Sequence, residues 1–133
     1  MAVRIVRLGS ARQSGEGLRI GTVRRPPRGV PKSEYAKDNW YDAWLPELAP
    51  SEPLVKLAQR GDRASWRTFE RRFTAELKRA PAARLLDLLA QLSRHSNFSV
   101  GCYCENEERC HRSILRRELQ ARGALLRSSI RRP

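Results

Sequence analysis

Apolar and polar residues recur along this chain in two rhythms, one with a step of two and one with a step of three to four. Val3 to Leu8 (VRIVRL) sets β-branched residues against arginines and predicts a strand. A polar, glycine-rich turn (GSARQSGEG) follows, and Leu18 to Val23 (LRIGTV) predicts a second short strand. The next run, RRPPRGVP, crowds three prolines and a glycine together. Proline lacks the amide donor that helix and ladder both need, so this run predicts a loop of fixed path. Ser33 to Asn39 fits a short helix, and the aromatic-rich Trp40 to Leu45 (WYDAWL), bounded by Pro46, reads as extended.

The longer step then takes over. Ser51 caps a predicted helix with Glu52 and Pro53 in its first turn and Gly61 beyond its end. Ser65 caps the clearest helix, in which Trp66, Phe69, Phe73 and Leu77 form one apolar stripe opposite Arg67, Arg71, Arg72, Lys78 and Arg79. That spacing assigns the aromatics to core packing rather than to base stacking. Pro81 opens another helix carrying Leu85, Leu86, Leu88, Leu89 and Leu92. Phe98 to Cys104 (FSVGCYC) returns to strand, Glu105 to Arg109 to loop, Cys110 to Arg122 to helix with Gly123 as its stop, and Ala124 to Ile130 to strand. Strand, loop, helix, strand is a βαβ unit. The expectation is therefore α/β: a single Rossmann-like domain over residues 1–133, three-layered, with a mainly parallel sheet flanked by helices.

Composition narrows the class. A chain of 133 residues with 40% hydrophobic and 31% charged residues suits one compact domain rather than a disordered segment. The N-terminal MAVRIVRLGS is too short and too charged for a signal peptide, and no apolar run approaches membrane-spanning length. These features predict a soluble cytoplasmic protein with no membrane partner. Three closely spaced cysteines, an odd number, argue for reduced thiols rather than a disulfide framework. Net charge is +13, carried by 23 arginines against 4 lysines. Such a surface attracts polyanions, so nucleic acid is one candidate partner; the same charge could equally be spread over solvated faces. No Walker loop, Gly-x-Gly-x-x-Gly turn, His-Glu-x-x-His helix or Gly-x-Ser-x-Gly elbow is present, which leaves the common reaction classes without support.

The chemistry gathers in SVGCYCENEERCHRSIL, Ser99 to Leu115. In parallel sheets ligands collect outside the carboxyl ends of the strands, where helix N-termini begin. The helix starting near Cys110 would direct free amides and a positive dipole end there, with His111 and Arg112 in its first turn. At 100° per residue His111 falls near the centre of the buried face and Arg112 at its edge, so Arg112 is expected to reach ligand or solvent. His111 could act as acid or base, or simply orient the loop. Cys104 and Cys110 are candidate nucleophiles, Cys110 because a helix N-terminus lowers a thiol pKa. Cys102, Cys104, Cys110 and His111 form an alternative zinc set. No cofactor is predicted, because side chains of the adjacent Cys110 and His111 on one helix should diverge by about 100°.

The segment from RLGSARQSGEG through SEYAKDNWYDAWLPELAPS, the helix WRTFERRF and the pattern strand–CYCENEERCHR together resemble domain-of-unknown-function family 488, the YeaO-like proteins. The resemblance runs from about Val3 to Gly123 and leaves an Arg-rich tail from residue 124 to 133. It implies a small bacterial cytoplasmic α/β protein and brings no particular activity with it. The matching segments are Arg25 to Gly29, Trp44 to Ser51 and Cys104 to Arg112. Where the family pattern reads D-R-L-W-P-R-G, this chain has V-R-R-P-P-R-G, so the acidic residue of that pattern is missing.

Three functional readings follow. In the first, Arg24, Arg25 and Arg28 beyond the second strand share a rim with His111 and Arg112 and bind a small phosphorylated or anionic ligand, such as a nucleotide. In that reading the arginines could instead pair with Asp42, Glu47 or Glu105 and pin the loops. The second is a nucleic-acid-binding module using the net charge and Arg127, Arg131 and Arg132. The third is a structural zinc or redox-thiol protein built on Cys102, Cys104 and Cys110.

Overall fold

The structure is a computed structural model that describes residues 1–104 and 106–127. Five strands form one sheet: β1 (Val3–Arg7), β2 (Leu18–Gly21), β3 (Ala43–Trp44), β4 (Phe98–Cys102) and β5 (Leu126–Arg127). Their order is β3-β2-β4-β1-β5, and every pairing is parallel. Four helices accompany it: α1 (Glu52–Gln59), α2 (Arg63–Leu77), α3 (Ala82–Leu92) and α4 (His111–Ala121). The α/β class, the parallel sheet and the single domain are as the periodicity implied.

Handedness explains where the helices go. Parallel crossovers are right-handed, so connections running in opposite directions along a sheet lie on opposite faces. The β3-to-β4 and β4-to-β5 connections both run toward the β5 edge, and they carry all four helices. One hydrophobic core accordingly unites Val3, Ile5, Ile20, Phe98 and Val100 of the strands with Leu54, Phe69, Phe73, Leu86, Ile114 and Leu119 of the helices. The connections from β1 to β2 and from β2 to β3 run the other way. Residues 8–17 and 22–42 supply the opposite layer from loops and one 3-10 turn at Lys32–Glu34.

That loop-covered face holds charge. Arg4, Ser99 and Arg19 lie side by side across β1, β4 and β2. Arg19 is fully buried and grips Glu16 through Nε at 2.8 Å and Nη2 at 3.0 Å, while Ser99 donates to the same carboxylate at 2.7 Å. Arg19 Nη1 also donates to the carbonyls of Ser10 and Asn39, both at 2.8 Å, so the pair ties two loops to the sheet. Gly21 lies on this face because a Cβ there would overlap the buried ring of Tyr41.

Several sequence expectations need correction. The Ser33–Asn39 helix is only the Lys32–Glu34 turn followed by turns. Asp62, not Ser65, caps α2, its side chain accepting from the Ser65 amide at 2.9 Å; Ser65 sits in the first turn. The stripe itself holds, with Phe69, Phe73 and Leu77 buried and Trp66 stacked on Phe69. The β4 strand ends at Cys102, so Cys104 lies outside the ladder. Residues Ser128 to Ile130 of the expected last strand, with Arg131 and Arg132, lie outside the described residues.

Candidate functional site

Neighbouring strands whose outgoing connections leave toward opposite faces open a crevice at their carboxyl ends. Here those neighbours are β2 and β4, and a cleft of about 410 Å³ lies between them. Val23, Arg24 and Arg25 line it after β2, Cys102, Tyr103 and Cys104 after β4, and Arg109, Cys110 and His111 at the start of α4. The helix layer closes the side with Trp66 and Phe69.

The three thiols meet at the bottom. Cys102 and Cys110 are buried and Cys104 is exposed. The thiol of Cys104 lies within hydrogen-bonding reach of both others. Those shared hydrogen bonds, together with the nearby Arg112 guanidinium, hold Cys104 well below the ordinary thiol range against the opposing effect of burial. Hydrogen bonding to Cys104 and Cys110, then burial, pushes Cys102 far up. For Cys110 the pull from Cys102 is outweighed by Cys104 and burial, and its thiol is raised. Of the three thiols, the one that solvent reaches is thus the most readily deprotonated.

His111 is fixed from two sides. Its Nε2 stands 2.7 Å from the Thr22 carbonyl, and a carbonyl only accepts, so Nε2 bears the proton and donates. The edge-on contact with Phe73 of α2, centroids 5.7 Å apart at 86°, sets the ring plane. Its other nitrogen, Nδ1, keeps its lone pair and faces Cys110 Sγ at 3.8 Å. Burial lowers the histidine pKa to about 4, so the ring is neutral at physiological pH. The inward direction read from the helical wheel is therefore correct.

The expected divergence of Cys110 and His111 is not what forms. Cys110 is the N-cap of α4, with φ −125° and ψ 152°, so it is not yet on the helix and the 100° rule does not apply to it. The sulfurs of Cys102 and Cys110 and a ring nitrogen of His111 all lie within 4.8 Å of one another. Arg112 also needs correction: only 3% of it is exposed. The segment after β4 folds back over it, and its Nη2 donates to the Cys104 carbonyl at 2.6 Å. Its positive charge therefore acts on the thiols from a buried position instead of reaching ligand or solvent.

The arginines of the proline loop divide. Arg24 donates to the carbonyls of Pro50 and Ala49 at 3.0 and 3.1 Å and pins the loop before α1. Arg25 pairs with Glu52 at 2.5 Å while staying largely exposed. Arg28 does not join His111; it lines a second cavity of about 600 Å³ on the same rim. Arg7, Gly9, Ser10, Arg25, Trp40 and Tyr103 line that cavity too. Arg25 and Tyr103 border both spaces, the Tyr103 hydroxyl donating to the Arg25 carbonyl at 2.8 Å. Asp42, a suggested partner for these arginines, binds Arg12 instead, and Glu105 lies outside the described residues.

Sequence reasoning missed Arg7, Trp40 and Tyr103 as rim residues. Trp40 and Tyr103 meet edge to face at 5.8 Å, although 63 positions separate them in the chain. The signal available was the density of aromatics in WYDAWL. Arg109, at the end of the Glu107–Arg109 turn, was missed as a lining cation. No helix among the described residues is long and apolar enough to cross a membrane. The family model described as the active DUF488-N3 subclade matches residues 3–123. Nothing matches among the curated proteins or among the solved structures.

Proposed function

The chain belongs to the DUF488-N3a family, by description the active DUF488-N3 subclade, and from that premise we propose that its strand-end rim binds a small phosphorylated ligand with an aromatic ring, a nucleotide by class. The observation that carries this reading is the pair of adjoining cavities sharing Arg25 and Tyr103. On one side Arg7, Arg25 and Arg28 supply guanidinium forks that match phosphate, and Trp40 and Tyr103 supply ring surface. On the other side Cys104, neutral His111 and Arg109 face the cleft, where the reactive end of such a ligand would lie. Aromatic stacking would fix the base while phosphate contacts fix register, so the first cavity holds recognition and the second holds the reactive groups. Free thiols at the site suit a reducing, cytoplasmic setting.

Isothermal titration of the full chain with nucleoside monophosphates, the matching nucleosides and inorganic phosphate tests this reading. Monophosphates should bind best, and R28E should weaken them at least tenfold while leaving the melting temperature unchanged. Equal binding of nucleosides and monophosphates would overturn the phosphate assignment. Absence of binding by all three would overturn the reading altogether. Tight, steeply salt-dependent binding of single-stranded oligonucleotides in place of monomers would move it to nucleic acid.

A further inference from the structure

We infer that Cys102, Cys110 and His111 form a three-ligand zinc centre whose fourth position opens into the cleft of the proposed ligand site, on which the role of that fourth position rests. Zinc takes cysteine sulfur at about 2.3 Å and histidine nitrogen at about 2.0–2.1 Å, so tetrahedral ligand atoms lie roughly 3.5–3.8 Å apart. The Cys110 Sγ to His111 Nδ1 separation is 3.8 Å, and the three ligand atoms lie within 4.8 Å of one another.

The histidine decides between a metal and a disulfide. A disulfide would need only two sulfurs and no nitrogen. Here Nε2–H is spent on the Thr22 carbonyl and Phe73 holds the ring plane, which leaves the Nδ1 lone pair beside the Cys110 sulfur. Donation of the second ring N–H to a backbone carbonyl is how protein sites orient a metal-binding histidine. Burial of Cys102 and Cys110, 1% and 2% exposed, would shield such a centre from exchange. Cys104 differs: it is exposed, off the strand and outside this three-atom group, so it borders the open position. Two sulfurs, one imidazole and a vacant site make a set suited to polarising a bound oxygen, as three-ligand zinc sites do.

Binding must displace the thiol protons of the ligating cysteines to solvent. The test uses the full-length, untagged, reduced chain, stripped with chelator and titrated with Co²⁺ and Zn²⁺. One equivalent of Co²⁺ should bind with a sulfur-to-cobalt charge-transfer band and the d–d bands of a tetrahedral ion, with proton release in weak buffer. C104S should keep the stoichiometry, and C110S and H111A should lose it. Circular dichroism of the metal-free variants establishes that they fold; the wild-type titration stands whatever they do. Failure of the wild type to bind stoichiometrically, or bands lacking thiolate character, overturns the centre. Loss of binding in C104S overturns the open position. Nucleoside monophosphate added to the cobalt form should shift the d–d bands. Nucleotide binding without Co²⁺ binding would sink the metal centre alone, and Co²⁺ binding without nucleotide would sink the ligand reading alone.

Discussion

Glu16→Gln removes half of the buried pair that ties two rim loops to the sheet, and its cost can be worked out contact by contact. Glu16 is 2% exposed and accepts from Arg19 Nε and Nη2, from the Ser99 hydroxyl, and from the Gln13 amide at 3.2 Å. Glutamine keeps one accepting oxygen and turns an NH2 toward a guanidinium that also only donates. Arg19, 0% exposed, would then carry an uncompensated charge in the interior. Breaking a buried pair from one side costs about 3–5 kcal/mol, a large part of the roughly 5–15 kcal/mol that holds a domain folded. At roughly 3–5 °C per kcal/mol for a chain of this length, the melting temperature should fall by about 10–20 °C. The pH profile gives an independent reading. Burial raises the Glu16 carboxyl, but hydrogen bonds from Arg19, Ser99 and Gln13 outweigh it and hold it below its ordinary 4.5. A depressed folded-state value means that the stabilisation is complete above pH 4.5 and is lost as pH falls through the folded value. E16Q should therefore flatten that acid limb, leaving the part that Asp42 supplies, itself held low by Arg12 and the Arg19 amide against burial. Differential scanning calorimetry from neutral to acid pH measures both effects. An E16Q variant melting within about 3 °C of wild type, with an unchanged acid limb, would refute the reasoning.

Phe69→Ala should destabilise by about 3–5 kcal/mol in urea unfolding, since the ring is 1% exposed and packed between Trp66 and Phe73. A loss under about 1 kcal/mol would place the stripe outside the core. Gly17→Ala should cost at least about 1–3 kcal/mol, because φ is +80° and the added Cβ would overlap the Asn97 backbone carbonyl; a neutral melt would contradict that backbone. In the metal-free native chain a haloacetamide should alkylate Cys104 alone, with all three cysteines reacting only after unfolding. Intact-mass spectrometry reads the count, and native labelling of Cys102 or Cys110 would show that the thiol cluster is open.

The helical stripe of α2, the strand that opens SVGCYCENEERCHRSIL, the parallel class and the strand-end placement of the cysteines and His111 were all legible in the chain. Each depends on neighbours in sequence: a period of 3.6 or 2 is a local property, and a βαβ unit forces its own handedness. His111 was placed inward on the same ground. What the sequence could not decide came from contacts between distant segments. The burial of Arg19 and Glu16 required β4 to bring Ser99 beside them. Arg112 was sealed by a loop folding back over it, and Cys110 escaped the helical wheel because an N-cap keeps extended backbone. Arg28 and His111 line different cavities, with Tyr103, just beyond β4, bordering both. Periodicity tells which side of an element faces the core; only the packed sheet decides which of those sides meet.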